Sequence, residues 1–140
     1  MKVAEKKKRR LVIRCSDGMT TTPNDASIDD EIRLPGGILF PSLCAQQFKR
    51  KVVTKLLRIA LDFAIKTMVK LKDPDEIVLM AHDPCGAAFA LQLSHEHIVQ
   101  VHTEWETKLR EAFPNIKILL MHEEHCAAGE WRKPHRHLAA

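Results

Sequence analysis

Three side chains of the kind that hold zinc follow two short apolar segments of this chain. Cys15 ends the first apolar segment, and His82 and Cys85 come directly after another. Two thiolates and one imidazole are a ligand set that zinc prefers, and the same set with one open position occurs in catalytic zinc sites. The alternative is that both cysteines are small buried apolar residues. The candidate ligands follow two separate segments, and this favours a metal site over buried apolar cysteines. Asp17, two residues beyond Cys15, favours the metal site further.

The segments that carry these ligands are predicted to be strands of one sheet. Residues 77–81 form a continuous apolar run of the kind buried on both faces of a parallel sheet, and 11–15 and 116–121 are similar short runs. Another short strand is expected at 38–40, after a polar segment, 19–35, that is predicted to be a long functional loop. Because ligands bind at the carboxyl ends of parallel strands, the three candidate ligands are expected to meet there.

Two helices are predicted to connect these strands. Charged residues recur every three or four positions over 43–71 and form one narrow polar stripe on an otherwise apolar surface. A helix with so wide an apolar surface is expected to be covered on more than one side, here by a second subunit. Residues 87–112 are predicted to be helical, with a break near Ser94. This order of elements predicts an α/β domain with a largely parallel sheet.

The composition indicates one soluble domain. Among 140 residues, 45% are apolar and 29% charged, which suffices for a buried core. We divide the chain into a basic lead-in (1–10), a zinc-binding α/β domain (11–126) and a His-rich tail (127–140). No apolar run approaches the roughly 18 residues of a membrane span. Since no apolar signal core follows the basic run, a cytoplasmic location is expected, with cysteines as ligands or buried thiols rather than disulfides.

A net charge of +4 raises the question of nucleic-acid binding. Much of the excess lies in the run 6–10, immediately before the first apolar segment. Such a run is able to contact phosphates, but few aromatic residues are available to stack on bases. A solvated lead-in to the first strand is therefore preferred, and nucleic acid is not an expected partner.

Three motifs together resemble the β-class carbonic anhydrases. They are Cys15-Ser16-Asp17-Gly18-Met19, Arg33-Leu34-Pro35-Gly36-Gly37 and His82-Asp83-Pro84-Cys85-Gly86. The likeness covers residues 11–125. It implies a single α/β domain whose mostly parallel sheet has strand order 2-1-3-4 and is flanked by helices. It also implies Zn2+ on Cys15, His82 and Cys85, a homodimer or higher homo-oligomer, and hydration of carbon dioxide to bicarbonate.

The mechanism that this resemblance implies depends on Asp17 and Arg33 as catalytic residues. Zinc lowers the pKa of a bound water to roughly 7, and the zinc-bound hydroxide attacks carbon dioxide. Asp17 accepts a hydrogen bond from that hydroxide. The family arginine that holds this aspartate off the metal is Met19 here. Asp17 is then a possible fourth ligand that closes the site, unless Arg14 or Arg33 supplies the missing charge.

Two functions therefore stay open at this point. The first is a zinc lyase that hydrates carbon dioxide, or a hydrolase of a related small substrate such as a carbon sulfide. The second is a catalytically silent zinc-binding homologue.

The other histidines and cysteines have simpler explanations. His122, His125 and Cys126 are close enough in the chain for a second metal site, but side chains three apart on a strand face opposite sides, so surface histidines are preferred. His102 is expected to be solvated on its helix. Cys44 is expected to begin the long helix, where the helix dipole lowers a thiol pKa, although a buried thiol is the default. The pair Gly36-Gly37 is expected to let the backbone pass closely by the metal loop.

Overall fold

One sheet runs through the part of the chain that the computed structural model describes, which is residues 6–15, 28–48, 51–83, 92–124 and 135–136. Its strands are β1 (Arg9–Cys15), β2 (Ile28–Leu34), β3 (Glu76–Asp83), β4 (Lys117–Glu124) and β5 (His135–Arg136). The helices are α1 (Phe40–Phe48), α2 (Lys51–Lys72) and α3 (His95–Ala112), and a 3-10 turn at Gly37–Leu39 leads into α1.

The strand order is β2-β1-β3-β4-β5. The first four strands are parallel, and only β5 runs antiparallel, against β4. The predicted α/β class and the parallel order 2-1-3-4 are therefore confirmed. The described part of the expected C-terminal tail adds β5 to the sheet beyond β4. None of the helices in the described ranges combines the length and apolar character that crossing a membrane requires.

The second strand lies elsewhere than predicted. The expected strand at 38–40 is wrong, because Ile38 and Leu39 form the 3-10 turn and are buried beneath the sheet. The expected loop is wrong over 28–34, which pairs with β1 along its whole length. The strand Ile28–Leu34 is rich in acidic residues, which strands usually disfavour. It tolerates them because it is an edge strand, with a neighbouring strand on one side alone among the described residues.

The main core lies between one face of the sheet and the helices. Alternate residues of β1, including Ile13 and Cys15, point into it and meet Ile65 of α2 and Leu109 of α3. The intervening β1 residue Val12 belongs to a smaller cluster on the opposite face, with Val78 and Met80 as the other buried members. This separation follows from the period of two along a strand.

The first predicted helical region is helical wherever the structure describes it, whereas the second is helical only from His95 onward, because the described residues 92–94 are not helical. The long region contains α1 and α2, with residues 49–50 outside the described ranges. The later helix begins at His95, and Ser94 caps it, since the Ser94 hydroxyl oxygen accepts a 3.1 Å hydrogen bond from the backbone N–H of His97. The break expected near Ser94 is this helix start, while residues 87–91 fall outside the described part.

Candidate metal centre

Cys15 is the last residue of β1, at the carboxyl edge of the parallel sheet. Its side chain is buried, with 4% of its surface exposed. The sulfur accepts a 3.2 Å hydrogen bond from the backbone N–H of Gly36, in the turn that follows β2. An N–H aimed at sulfur stabilises a thiolate more than a thiol. This hydrogen bond therefore orients the Cys15 sulfur and favours its thiolate, whereas burial acts in the opposite direction.

Two glycines bring this N–H to the sulfur. Gly36 and Gly37 both have left-handed backbone conformations, with φ of 74° and 58°. A Cβ on Gly37 would lie 3.0 Å from the carbonyl carbon of Arg14 and 3.1 Å from the backbone nitrogen of Cys15. The turn after β2 therefore packs directly against the main chain at the end of β1. This is the close backbone passage that the glycine pair predicts.

His82 lies at the same edge of the sheet, on the neighbouring strand. The register pairs Ile13 of β1 with Leu79 of β3. Two residues further along both strands, Cys15 is level with Ala81, and His82 is the next residue of β3. Adjacent strands are about 4.8 Å apart, so the backbones at Cys15 and His82 are near neighbours. Cys15 and His82 thus lie at the same edge of the sheet on adjacent strands, but at register positions of opposite parity.

The rest of the predicted ligand set falls outside the described residues. Cys85, Asp17 and Met19 are not among them, and for His82 only the backbone is described. Within the described ranges no three histidine, cysteine, aspartate or glutamate side chains form a group able to hold a metal. The zinc ligands therefore stay a prediction, to which the structure adds the position and environment of Cys15.

Glu31 forms ion pairs with Arg14 and Arg33, the two residues that could replace the charge of the missing family arginine. Its carboxylate lies 3.5 Å from Nη1 of Arg14 and 2.6 Å from Nε of Arg33. Arg14 is completely buried, whereas Arg33 is partly exposed. The residues on either side of Arg14 in β1 belong to the main core; they are Ile13 and Cys15. The residues on either side of Arg33 in β2 pack against that core; they are Ile32 and Leu34. Both arginines therefore point to the opposite face of the sheet from Cys15.

Two other residues lie in surroundings that differ from those expected. Cys44 lies within α1 rather than at its start; it is partly buried, and burial raises the pKa of its thiol, which agrees with the default expectation of a buried thiol and not with a pKa lowered by the helix dipole. His102 is 1% exposed, and its Nδ1–H donates to the Ile98 carbonyl oxygen at 2.8 Å, so the expected solvated histidine is wrong. The signal for burial was present, because His102 follows Ile98 by four residues and precedes Trp105 by three on the apolar side of α3.

The cluster proposed as a second metal site is only partly described. His122 lies in β4, and its backbone pairs with Ala81 on one side and His135 on the other. His125 and Cys126 fall outside the described residues, as does His137.

No model of a known protein family, no curated protein and no solved structure matches this chain. The function of this chain is therefore inferred from the site itself.

Proposed function

We propose that this protein holds one zinc ion through Cys15, His82 and Cys85 and hydrates carbon dioxide to bicarbonate. The observation that carries the proposal is the position of the Cys15 sulfur and its hydrogen bond. Its sulfur is buried at the carboxyl end of a parallel strand and accepts a backbone N–H hydrogen bond. A cysteine that only fills space has no need of such a donor, whereas metal-bound thiolates are commonly oriented by hydrogen bonds of this kind.

The residues present fit zinc by their chemistry. Three ligands of the Cys2His type leave one position of a tetrahedron open. When bound there, zinc supplies a hydroxide nucleophile at neutral pH. Gly36 fixes the orientation of the Cys15 sulfur through its N–H, and the close packing of Gly37 on the end of β1 keeps that donor in place. Asp17 has the role of accepting a hydrogen bond from the nucleophile, which aims it at the substrate.

The ligand assignment is tested by metal content and by cobalt spectroscopy. We expect Cys15→Ala and Cys85→Ala to abolish stoichiometric zinc binding and to remove the sulfur-to-metal charge-transfer band of the cobalt-substituted protein. The matched controls are Cys44→Ala and Cys126→Ala, which are expected to keep stoichiometric zinc and the charge-transfer band. One zinc per chain in either ligand variant would refute the site.

The activity is tested by stopped-flow measurement of carbon dioxide hydration, on protein that carries one zinc per chain. We expect a rate that rises with pH as the nucleophile is formed. Full metal loading with no hydration at any pH would exclude the enzyme while leaving the metal site intact.

One observation favours a second candidate, a catalytically silent zinc protein. Arg14 and Arg33, the two candidates to restrain Asp17, are both paired with Glu31 on the other face of the sheet. With Met19 in place of the family arginine, Asp17 is then able to bind zinc as a fourth ligand and exclude water. In this case Met19→Arg is expected to create hydration activity in a protein that has none, and Met19→Leu is not. An inactive Met19→Arg protein with full zinc loading would count against this explanation.

A further inference from the structure

Helix α2 exposes a row of large apolar side chains on the side away from the core. Leu61 and Ile65 face the core and are buried. The outer seam, as we call it, consists of Val52, Leu56, Ile59 and Phe63, which are exposed by 71%, 60%, 57% and 70%. No described residue covers these four side chains to any large extent. A contiguous exposed apolar row of this kind is typical of a surface that binds a partner.

The spacing of the outer seam is that of a helix that packs against another helix. Its four members follow one another at intervals of four, three and four residues. This is the alternation of apolar positions along a two-stranded coiled coil. At 100° per residue the four side chains fall within a sector of about 60° on the helix. The next two positions of the same repeat are Lys66 and Lys70, which end the apolar row.

The size of the outer seam suits the centre of a modest interface. Four such side chains at these exposures present on the order of 400 Å² of apolar surface, as much as the largest patch of many monomers. A stable interface buries about 800 Å² on each partner. The seam accounts for about half of that area, so the remaining half would have to come from the residues on its two flanks.

The flanks of the seam identify the partner as a second copy of the same helix. Lys55 and Asp62 lie on one flank, while Val53, Ala60 and Thr67 form a small, uncharged flank on the other. Consider an antiparallel pair with its two-fold axis between Leu56 and Ile59. The charged flank of one copy then faces the charged flank of the other, and the two uncharged flanks also face each other. Lys55 of each copy then lies beside the partner's Asp62, and the two uncharged flanks pack closely. A parallel pair would instead set Lys55 against the partner's Ala60 and lose both charge pairs.

We propose that this protein is a homodimer in which two α2 helices pack antiparallel through Val52, Leu56, Ile59 and Phe63. Asp62 lies where α2 meets α3, with 18% of its side chain exposed, and it pairs with Lys66 at 2.8 Å and with Lys108 of α3 at 3.5 Å. In the dimer, the partner's Lys55 would approach the exposed edge of this carboxylate. The seam faces away from the main core, so this dimer does not depend on the proposed metal centre or its activity.

The first test compares seam variants with a matched control by analytical ultracentrifugation over a range of concentrations. We expect a wild-type dimer at micromolar concentration, and monomers for Leu56→Glu and Phe63→Glu. The control is Leu71→Glu, which replaces a side chain of the same helix that is equally exposed, at 71%, but lies outside the seam. It is expected to stay dimeric. Far-ultraviolet circular dichroism is expected to be the same for all variants, because none of these side chains is buried.

The second test exchanges charges across the proposed two-fold axis. Lys55→Asp places two carboxylates together in each contact, and Asp62→Lys places two ammonium groups together. Asp62→Lys also sets a third ammonium group beside Lys66 and Lys108 of its own chain, so its folding is checked by circular dichroism. Each variant alone is expected to dimerise about tenfold more weakly than the wild type. An equimolar mixture restores both opposite-charge pairs and is expected to form a heterodimer about as tight as the wild-type dimer. This test keeps its meaning even if a glutamate variant fails to fold.

Several results would overturn the proposal. A wild-type protein that stays monomeric on the order of 100 µM would do so, as would seam variants that dimerise as well as Leu71→Glu. A mixture of the two charge variants no tighter than either alone would exclude the antiparallel arrangement. A monomer that instead co-sediments with anionic phospholipid vesicles, and loses this in Phe63→Glu, would assign the seam to a membrane surface.

Discussion

Replacement of Gly37 by alanine tests how the turn after β2 is joined to the end of β1. The residue has φ of 58°, a conformation that costs an L-residue about 1 to 2 kcal/mol. The new Cβ would also lie 3.0 Å and 3.1 Å from main-chain atoms of Arg14 and Cys15. Main-chain atoms within a sheet cannot rotate aside, so either the turn or the end of β1 must move.

The magnitude follows from these two costs. Overpacking of a well-packed site adds about 1 to 3 kcal/mol to the conformational cost. We therefore expect Gly37→Ala to lower the free energy of unfolding by about 2 to 5 kcal/mol, a large part of the total of about 5 to 15 kcal/mol for a typical domain. The expected fall in Tm is roughly 10 °C.

The assay is urea unfolding followed by circular dichroism, with Gly36→Ala as the comparison. Gly36 is also left-handed, but its new Cβ would meet the tip of the Leu43 side chain rather than main chain. Shortening Leu43 is therefore expected to reduce the cost of Gly36→Ala and to leave the cost of Gly37→Ala unchanged. Such a double-mutant cycle separates a side-chain clash from a backbone clash.

The reasoning fails if Gly37→Ala unfolds within about 0.5 kcal/mol of the wild type, the usual range for a harmless surface substitution. It also fails if shortening Leu43 rescues both alanine variants equally, since the Gly37 contact would then not be with the main chain.

Three further predictions concern side chains whose environment the structure defines. Glu31→Gln is expected to cost about 1 to 3 kcal/mol in urea unfolding, because a fully buried arginine loses a carboxylate partner; the exposed-pair control Glu106→Gln is expected to cost under about 1 kcal/mol. Ser94→Ala removes the cap of α3 and is expected to cost about 1 kcal/mol by the same assay, whereas Thr103→Ala within the helix is not. Burial raises the pKa of Cys44. Its alkylation by iodoacetamide at pH 8, followed by mass spectrometry, is therefore expected to be slower in native than in urea-unfolded protein, and to become faster as the pH rises towards that raised pKa. Equal alkylation rates in the two states would contradict this.

The sequence indicated the sheet well wherever strands are buried. Continuous apolar runs identified β1, β3 and β4, because a central parallel strand must be apolar on both faces. It failed for β2, because an edge strand alternates apolar and charged residues and the run Ile28–Leu34 contains three consecutive acidic ones. The apolar residues Ile38 and Leu39 were mistaken for that strand, since periodicity alone does not separate a short strand from a buried turn.

The candidate site could be predicted only in part, for a physical reason. The positions of Cys15 and His82 at strand ends follow from local patterns and the rule that parallel strands share a carboxyl edge. The donor to the Cys15 sulfur, Gly36, could not be foreseen because the contact joins two turns distant in sequence. The pairing of Arg14 and Arg33 with Glu31 was equally hidden, since it depends on the register of the misplaced strand β2.

The proposed metal centre and the proposed dimer interface lie in different parts of the fold, and this makes them separable. Cys15 belongs to the main core at the end of β1, whereas Leu56 lies on the side of α2 that faces away from that core. We therefore expect Cys15→Ala to lose zinc and stay dimeric, and Leu56→Glu to become monomeric and keep one zinc per chain. Metal analysis of the separated species, combined with their masses, checks both. Loss of zinc together with the dimer in Leu56→Glu would mean that the second subunit helps to form the metal site.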